Sequence, residues 1–371
     1  MKKRGRANIM LESRLGNWAA ERGYRVALAG TGVLEAVGDK LEGRRDAGLI
    51  EAGFFRDYLG SFCYLDDCRI AGPRALVVVA VPSPVAVLPL AFRGKRINGL
   101  IPPTYVNYNK TFGDILEDLK SGPLGAGSGV TGIEILKAPL KSLAVHLALV
   151  SYGGNNITYA PGLGSGYQLC GYVIGVGKGR RSVADRTNVG RPGKRIDGDT
   201  ARRGATRGGQ AVGIPVDLGQ PRDEDWPETA MKRCAKCRIC LKACPTGAIR
   251  EDRFLISADH CYTLSSESRE QLPEWAKPPA SACLIGCMAC QEACPENKGR
   301  LKYVPSGVEF TAEETEAVLE AGLRMRPGGK EERRGDHGKA YASALAKFAR
   351  LGLTEALDVV GRNLRAMLLN S

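Results

Sequence analysis

The residues best suited to chemistry are cysteines, because nine of the twelve fall between Cys234 and Cys294. The first run has the spacing CxxCxxCxxxC, is followed directly by proline, and consists of Cys234, Cys237, Cys240 and Cys244. In this bacterial ferredoxin spacing, three thiolates bind one iron–sulfur cube and the fourth binds the other cube of a two-cluster protein. Zinc is the alternative, but four-cysteine zinc sites usually pair two CxxC knuckles across a longer gap. The run therefore predicts two 4Fe-4S clusters.

A second run and a lone cysteine supply the remaining ligands. The run CLIGCMACQEACP ends at Cys294, and Cys261 lies alone between the two runs. If Cys294, which precedes proline, binds the first cluster, that cluster is held by Cys234, Cys237, Cys240 and Cys294. The second cluster then has Cys244 and needs three more ligands. Spacing alone leaves two sets open, which are Cys287 and Cys290 with either Cys283 or Cys261.

The composition favours a metalloprotein in a reducing compartment. Twelve cysteines in 371 residues, most of them crowded together, do not form the pattern of a small secreted disulfide scaffold. The basic N-terminus has no apolar stretch of signal-peptide length. The longest uncharged stretch, residues 75–92, is interrupted by Pro82, Pro84 and Pro89. We therefore expect a cytoplasmic protein with no membrane partner.

The N-terminal half has the pattern of an α/β domain. The segment ALVVVAV at residues 75–81 is apolar on both faces, as expected of a central strand covered by helices, and the prolines after it predict a loop. Pro139 stands where a helix can begin, and Gly153 and Gly154 supply a stop. A glycine-punctuated loop then leads to a strand-like segment. The fold class is therefore α/β, with an α/β sandwich-like core domain at residues 1–176.

Three further regions follow this core. Residues 177–213 are a Gly/Arg-rich insert, in which ten Lys or Arg between 178 and 207 outnumber three acidic residues. The insert lacks apolar periodicity and interleaved aromatics, so a mobile linker is favoured over an RNA-binding segment. Residues 214–305 are a two-cluster bacterial ferredoxin-like domain. Residues 306–371 are a helical C-terminal segment, whose first helix has a capping box of Thr311 and Glu314.

The cysteine pattern carries a family resemblance. CxxCxxCxxxCPTGAI, the isolated cysteine of ADHCYTLSSE, and IGCMACQEACPENK are similar to the iron–sulfur domain of epoxyqueuosine reductases and their reductive dehalogenase relatives. Upstream, ALVVVAVPSP, IPPTYVNY and LKSLAVHLALVSYGGNNITYAPGLGSG resemble the nitroreductase-like α/β domain of the same family, most closely a less-characterised branch. The resemblance implies that Cys283 is the spare cysteine. The second cluster is then held by Cys244, Cys261, Cys287 and Cys290.

The resemblance also implies a cofactor and partners. Family members pass electrons through two clusters to a base-off cobalamin that lies over the α/β domain. Its binding residues here come from the loop after the LAVHLALV helix and are Gly153, Gly154, Asn155, Gly164 and Ser165. The DxHxxG signature of histidine-ligated cobalamin is missing from this sequence. The implied electron donor is a low-potential protein such as a ferredoxin or flavodoxin, and the implied substrate is a small molecule or a tRNA.

Two positions depart from the family pattern. The aspartate proton donor of the family matches Glu134 in an ungapped register, but it matches Leu136 when the alignment is anchored on Pro139. The Gly-Lys-Asn of many relatives reads Gly153, Gly154, Asn155, so a positive charge is missing there. Tyr152 is a second candidate proton donor, although an aromatic residue at a helix end more often packs.

Three functions therefore remain open from the sequence. A corrinoid-dependent iron–sulfur reductase follows from the match across both domains. An electron-transfer partner without a substrate of its own follows from the changed acid and lysine positions. A true tRNA epoxyqueuosine reductase follows from the resemblance itself.

Overall fold

The computed structural model describes residues 6–72, 74–177, 230–276, 282–323, 338–353 and 357–369. The predicted insert at 177–213 lies outside the described residues, apart from residue 177 itself. None of the described helices is both long enough and apolar enough to cross a membrane.

The α/β domain alternates helices and strands along the described part of the chain. Between α3 and β2, a π-helical turn spans Phe55–Leu59. The elements are, in chain order, α1 (Arg6–Glu21), β1 (Arg25–Gly30), α2 (Val33–Asp46), α3 (Ala52–Phe54), β2 (Arg74–Pro82), β3 (Val85–Phe92), β4 (Lys95–Ile101), α4 (Tyr108–Ser121), β5 (Val130–Ile135), α5 (Leu140–His146), β6 (Ser151–Tyr152), β7 (Thr158–Tyr159) and β8 (Tyr167–Val176).

The main sheet has the strand order β1-β2-β8-β5, and each neighbouring pair is antiparallel. Side chains alternate across a strand, so β2 sends Leu76, Val78 and Ala80 into one core. Val77 and Val79 enter a second core on the other face. Because both faces of β2 are buried, the prediction of a central strand covered by helices is confirmed.

Helices cover both faces of this sheet. On one face, α1 packs through Leu11, Leu15 and Trp18, whose helical spacing forms an apolar stripe, and α4 packs through Ile115 and Leu119. The other face is covered by α2 and α5. The result is the α/β sandwich predicted from the sequence.

The loop expected after β2 is instead a second strand. β3 pairs with β4 in an antiparallel hairpin, and Pro89 lies within β3 opposite Asn98. Proline has no N–H to donate, but its carbonyl accepts a hydrogen bond from the Phe310 N–H at 3.0 Å. The missing N–H of Pro89 therefore leaves no hydrogen bond unmade on the side of β3 that faces Phe310.

The cluster domain is built from short helical turns, and longer helices follow it. Single turns of 3-10 helix span Lys232–Ala235, Ala258–His260, Glu274–Ala276 and Pro295–Asn297, and the first of them contains Cys234. The remaining elements are α6 (Ile239–Ala243), α7 (Tyr262–Glu267), α8 (Ala289–Glu292), β9 (Tyr303–Pro305), α9 (Ala312–Leu323), α10 (Gly338–Arg350) and α11 (Leu357–Leu369).

The C-terminal helices pack on a three-stranded sheet, which has the order β4-β3-β9. The Phe310 and Phe348 rings meet with centroids 4.8 Å apart in this core. The capping box that starts α9 forms as predicted. The Thr311 N–H donates to Glu314 Oε2 at 2.8 Å, and the Glu314 N–H donates to Thr311 Oγ1 at 3.3 Å.

Gly171 allows α5 to lie close against β8. A Cβ at this position would lie 2.4 Å from Leu140 Cδ2. We expect Gly171→Ala to lower stability by about 1 to 3 kcal/mol through overpacking. The control is Gly16→Ala in α1, where no atom lies within 4 Å of the added Cβ, and which should stabilise by about 0.5 to 1 kcal/mol. Anaerobic thermal unfolding would measure both, and equal shifts would contradict the packing argument.

Candidate functional site

The first group of cysteines lies around α6. Cys240 is in this helix, and its thiol interacts electrostatically with those of Cys234, Cys294 and Cys237. Burial raises the pKa of Cys240 to about 11, and the neighbouring thiols add to the increase. Burial also raises the pKa of Cys234 to about 11, although a hydrogen bond from the Gly154 backbone acts in the opposite direction. Four thiols from two segments thus lie near one another, in agreement with the predicted ligand set of the first cluster.

The second group of cysteines lines a single cavity. Its members are Cys244, Cys261, Cys287 and Cys290. Burial raises the pKa of Cys290, and the Cys287 and Cys261 thiols raise it further. Burial also acts to raise the pKa of Cys244, but backbone hydrogen bonds from Ile249, Thr246 and Ala248 lower it below its ordinary value. These N–H groups stabilise a thiolate at Cys244, which is the form that binds a cluster.

Cys283 is outside this group. Its side chain is fully buried in a small apolar cluster with Val85 and Met288. It is absent from the cavity wall to which Cys261 contributes. This placement supports the ligand set implied by the resemblance, in which Cys261 replaces Cys283.

The segments that carry the second group are tied together by α11. Arg362, which is 6% exposed, donates hydrogen bonds to the backbone carbonyls of Ser265, Ser266, Ser268 and Glu270. Asn363 Nδ2 donates to the carbonyls of Ser266 at 2.9 Å and Leu284 at 3.0 Å. The helix therefore joins the segment that follows Cys261 to the segment that precedes Cys287.

A buried carboxylate ties the first group together in a similar way. Glu296, two residues after Cys294, forms ion pairs with Arg233 and with Arg300, the latter at 2.9 Å. Because Arg233 directly precedes Cys234, the pair connects two segments that supply thiols to the first cluster. Glu296 is only 8% exposed, whereas the Arg233 side chain is 69% exposed, so solvent partly screens this pair.

The cavity has a volume of about 830 Å³ and lies between the α/β domain and the cluster domain. Its α/β wall includes Leu136, Leu140 and Leu169, and its opposite wall includes Ile249 and the second group of cysteines. Mostly apolar pockets of this size, with a few polar groups, are typical of small-molecule and cofactor sites.

Only some residues of the loop predicted to bind a cofactor line the cavity. Asn155 and Ser165 line the cavity, whereas Gly153, Gly154 and Gly164 do not. Asn155 Nδ2 donates to Tyr159 Oη at 2.9 Å and to the Cys290 carbonyl at 3.4 Å. Ser165 Oγ donates to Gln291 Oε1 at 2.8 Å. The loop therefore contacts the cluster domain directly beside Cys290.

The glycines of this loop permit that contact. Gly164 has φ of +61°, and a Cβ there would lie 2.4 Å from Asn297 Oδ1. That same oxygen accepts a hydrogen bond from the Ser165 N–H at 2.8 Å. A Cβ on Gly153 would lie 2.5 Å from the Tyr159 ring. At these two positions, glycine allows the backbone to lie close to neighbouring side chains.

The predicted proton donors do not face the cavity. Glu134 lies in β5, is absent from the cavity wall, and accepts a hydrogen bond from the Arg69 N–H at 3.1 Å. Leu136, the position given by the alternative alignment, does line the cavity. Tyr152 is buried in the core, with its ring 5.4 Å from that of Phe254, and it does not line the cavity either. The packing interpretation of Tyr152 thus agrees with its place in the fold.

Two further polar groups lie on the cavity wall, in addition to the predicted site residues. Lys141 of α5 lines the cavity, and burial lowers its pKa to about 8 although the Cys261 thiol acts in the opposite direction. Tyr105 also lines the cavity, and its hydroxyl donates to Glu267. Burial and the Glu267 carboxylate raise the pKa of Tyr105 well above its ordinary value. A lysine in a helix gives no local sequence signal of a binding site, whereas the Pro-Pro turn before Tyr105 gives a weak signal.

The cysteine assignment predicts opposite results for two variants. Cys261→Ala should remove one cluster and leave about four irons per chain, because it deletes a ligand of the second cube. Cys283→Ala should keep about eight irons. Iron and sulfide quantitation after anaerobic reconstitution measures both. Loss of a cluster from Cys283→Ala alone would restore the simpler ferredoxin set.

The contacts of α11 predict a selective effect on the second cluster. Arg362→Met leaves several buried carbonyls unsatisfied, at a cost of about 1 to 3 kcal/mol each at most. We expect the variant to lose the second cluster faster than the first during exposure to air. Arg365→Met, in the same helix but without those contacts, is the matched control. Visible absorption and iron release follow the loss, and equal loss of both clusters would count against a selective role.

Comparisons with known proteins agree with the cysteine chemistry. Residues 233–297 match the family model described as a 4Fe-4S double cluster binding domain. The epoxyqueuosine reductase of Bacillus anthracis is 29% identical over 121 residues, which are 32% of this chain and 30% of the relative. That of Bacillus subtilis is 31% identical over 120 residues, 32% of this chain and 29% of the relative. The matches thus span about a third of these curated relatives.

Solved structures agree with the fold. The epoxyqueuosine reductase of Streptococcus thermophilus aligns with a TM-score of 0.59 and 17% identity, over 98% of this chain and 81% of that one. An epoxyqueuosine reductase bound to an epoxyqueuosine-modified tRNA-Tyr stem loop aligns with a TM-score of 0.55 and 16% identity, over 98% and 82%. The α/β fold class and the two-cluster domain are thereby confirmed. The chain is therefore similar to epoxyqueuosine reductases in sequence over about a third of its length and in its fold, as its cysteine pattern predicted.

Proposed function

We propose that the protein is an iron–sulfur reductase that passes electrons through two 4Fe-4S clusters to a molecule bound in the cavity. The observation that carries this proposal is the placement of Cys244, Cys261, Cys287 and Cys290 on the cavity wall. A cluster held by these thiolates faces the bound molecule directly. Electron transfer to that molecule then needs no further carrier.

The first cluster is the entry point for electrons. Its cysteines Cys234, Cys237 and Cys240 border a separate pocket of about 50 Å³ and are absent from the wall of the large cavity. Cys240 and Cys290 interact electrostatically, so the two groups are neighbours. The exposed Lys236 and Lys242 lie on the cysteine run of the first cluster. A positive surface favours an acidic partner, which suits a ferredoxin or flavodoxin as the donor.

The residues of the cavity fit a base-off corrinoid. No histidine is found among the described lining residues, so the wall offers no imidazole as an axial ligand. The apolar wall from Leu136 to Leu169 suits a large planar group, and Asn155 and Ser165 stand at its edge. A bound corrinoid would supply a strongly reducing, nucleophilic cobalt. The loop and the cluster domain together would keep water away from it.

Tyr105 is the best-placed group to hold a proton at the cavity. A phenol is protonated at neutral pH, and the raised pKa of Tyr105 is consistent with that state. Its hydroxyl is oriented by Glu267, which accepts its hydrogen bond. Glu134 is outside the cavity, so a proton for a bound molecule has no carboxylic acid source there among the described residues.

Two other functions have specific support. Leu136 on the cavity wall, where one alignment expects the acid, favours an electron-transfer protein without a substrate of its own. The fold shared with an epoxyqueuosine reductase bound to a tRNA stem loop favours a true tRNA epoxyqueuosine reductase. The corrinoid-dependent reductase remains our first choice because the cavity adjoins the second cluster.

Anaerobic purification with iron, sulfide and corrinoid quantitation tests the proposal. About eight irons together with bound cob(II)alamin, seen in its visible spectrum, is the expected result. Eight irons without corrinoid binding would indicate the electron-transfer protein instead. Conversion of epoxyqueuosine-containing tRNA under reducing conditions would identify the true reductase.

A further inference from the structure

A buried tyrosine and a buried asparagine of the α/β domain lie between the two groups of cysteines. Tyr159 of β7 is 4% exposed, and Asn155, in the loop before β7, is 3% exposed. Asn155 Nδ2 donates to Tyr159 Oη at 2.9 Å. The Tyr159 hydroxyl also forms a hydrogen bond with the Cys294 thiol, and the Asn155 side chain forms one with the Cys290 thiol. The pair therefore contacts one predicted ligand of each cluster.

The direction of these hydrogen bonds follows from the other partners of the two side chains. Asn155 Oδ1 accepts a hydrogen bond from the Ile157 N–H at 3.2 Å. This bond fixes the orientation of the amide, so its two N–H groups are the donors to Tyr159 and to Cys290. The Tyr159 oxygen already accepts one of these N–H groups, so its own proton is the one shared with the Cys294 sulfur. Both side chains thus donate toward sulfur.

Hydrogen bonds to the sulfurs of an iron–sulfur cluster shift its reduction potential. Reduction adds negative charge to the cube, and a donor at a ligand sulfur stabilises that charge, so the potential rises. The effect is stronger in a buried place, because the local dielectric constant is low there. Tyr159 and Asn155 meet both conditions, since each is buried and each donates to a ligand thiol.

We infer that this pair sets the reduction potentials of both clusters, Tyr159 through Cys294 of the first and Asn155 through Cys290 of the second. The two residues act on the clusters through the ligands and are not ligands themselves. The inference goes beyond the proposed function, because it holds whatever molecule the cavity binds. Since the Asn155 amide also donates to Tyr159, one side chain of the α/β domain affects both steps of the electron path.

Redox titrations followed by electron paramagnetic resonance, on the full chain with both clusters loaded, test the inference. Tyr159→Phe should keep about eight irons and make one cluster about three- to tenfold harder to reduce, which is about 30 to 60 mV for one electron. That shift should persist in a Cys261→Ala background, which retains only the first cluster. Tyr167→Phe is the matched control, because its hydroxyl is equally buried but donates to Thr158 Oγ1 at 2.6 Å. Both potentials of the control should stay unchanged.

A second variant tests whether the two side chains act as a unit. Asn155→Ala should lower both potentials, because the amide donates to Cys290 directly and acts on Cys294 through Tyr159. In the double variant, the first cluster should have the potential that Tyr159→Phe alone gives it. Additive shifts at the first cluster would contradict the hydrogen-bonded bridge.

The remaining outcomes also decide the inference. Unchanged potentials in both single variants would overturn it and leave the pair as a packing contact between the domains. Loss of iron from Tyr159→Phe would overturn it as well, because the hydroxyl would then be needed for cluster assembly. Shifted potentials in a chain that binds no corrinoid would keep the inference and reject the proposed cofactor. Corrinoid binding with unchanged potentials in the variants would do the reverse.

Discussion

Iron–sulfur cubes form only where thiolates from separate segments are held at fixed positions, and this requirement organises the second half of the chain. Short helical turns between the cysteines contribute little packing of their own. Their positions depend instead on polar contacts with neighbouring elements. Glu296 joins two segments of the first cluster, and Arg362 joins the segments of the second. Helix α11 therefore helps to hold the predicted cluster ligands in place, although it contains no cysteine.

The α/β domain supplies the other half of the site. Its main sheet is buried on both faces, which leaves the ends of its strands and the loop before β8 to meet the cluster domain. Gly164 and Gly171 allow backbone and helix to approach closely where a side chain would intervene. The cavity is the space that remains between these two rigid surfaces. Its polar residues come from both.

What could be predicted from sequence was encoded locally. The ligand spacing of Cys234 to Cys244, the valine run of β2 and the capping box at Thr311 each depend on nearby residues. The missed features depend on distant partners. The partners of Arg362 are backbone carbonyls more than ninety residues away in the sequence. Lys141 lines the cavity because of the way α5 packs in the fold. Glu134 and Leu136 are only two positions apart in the sequence. Glu134 lies within β5, whereas Leu136 follows the end of that strand and lines the cavity.

Cys261 stands at the start of α7, and its thiol forms part of the cavity wall. Under the proposed function, a cluster bound there would form part of the binding site as well as carry electrons. Oxygen damage to this cube would therefore remove the binding surface and the reductant together. Under the proposed function, a chain without its second cluster would lack part of the binding surface, so metal loading would be a condition for ligand binding.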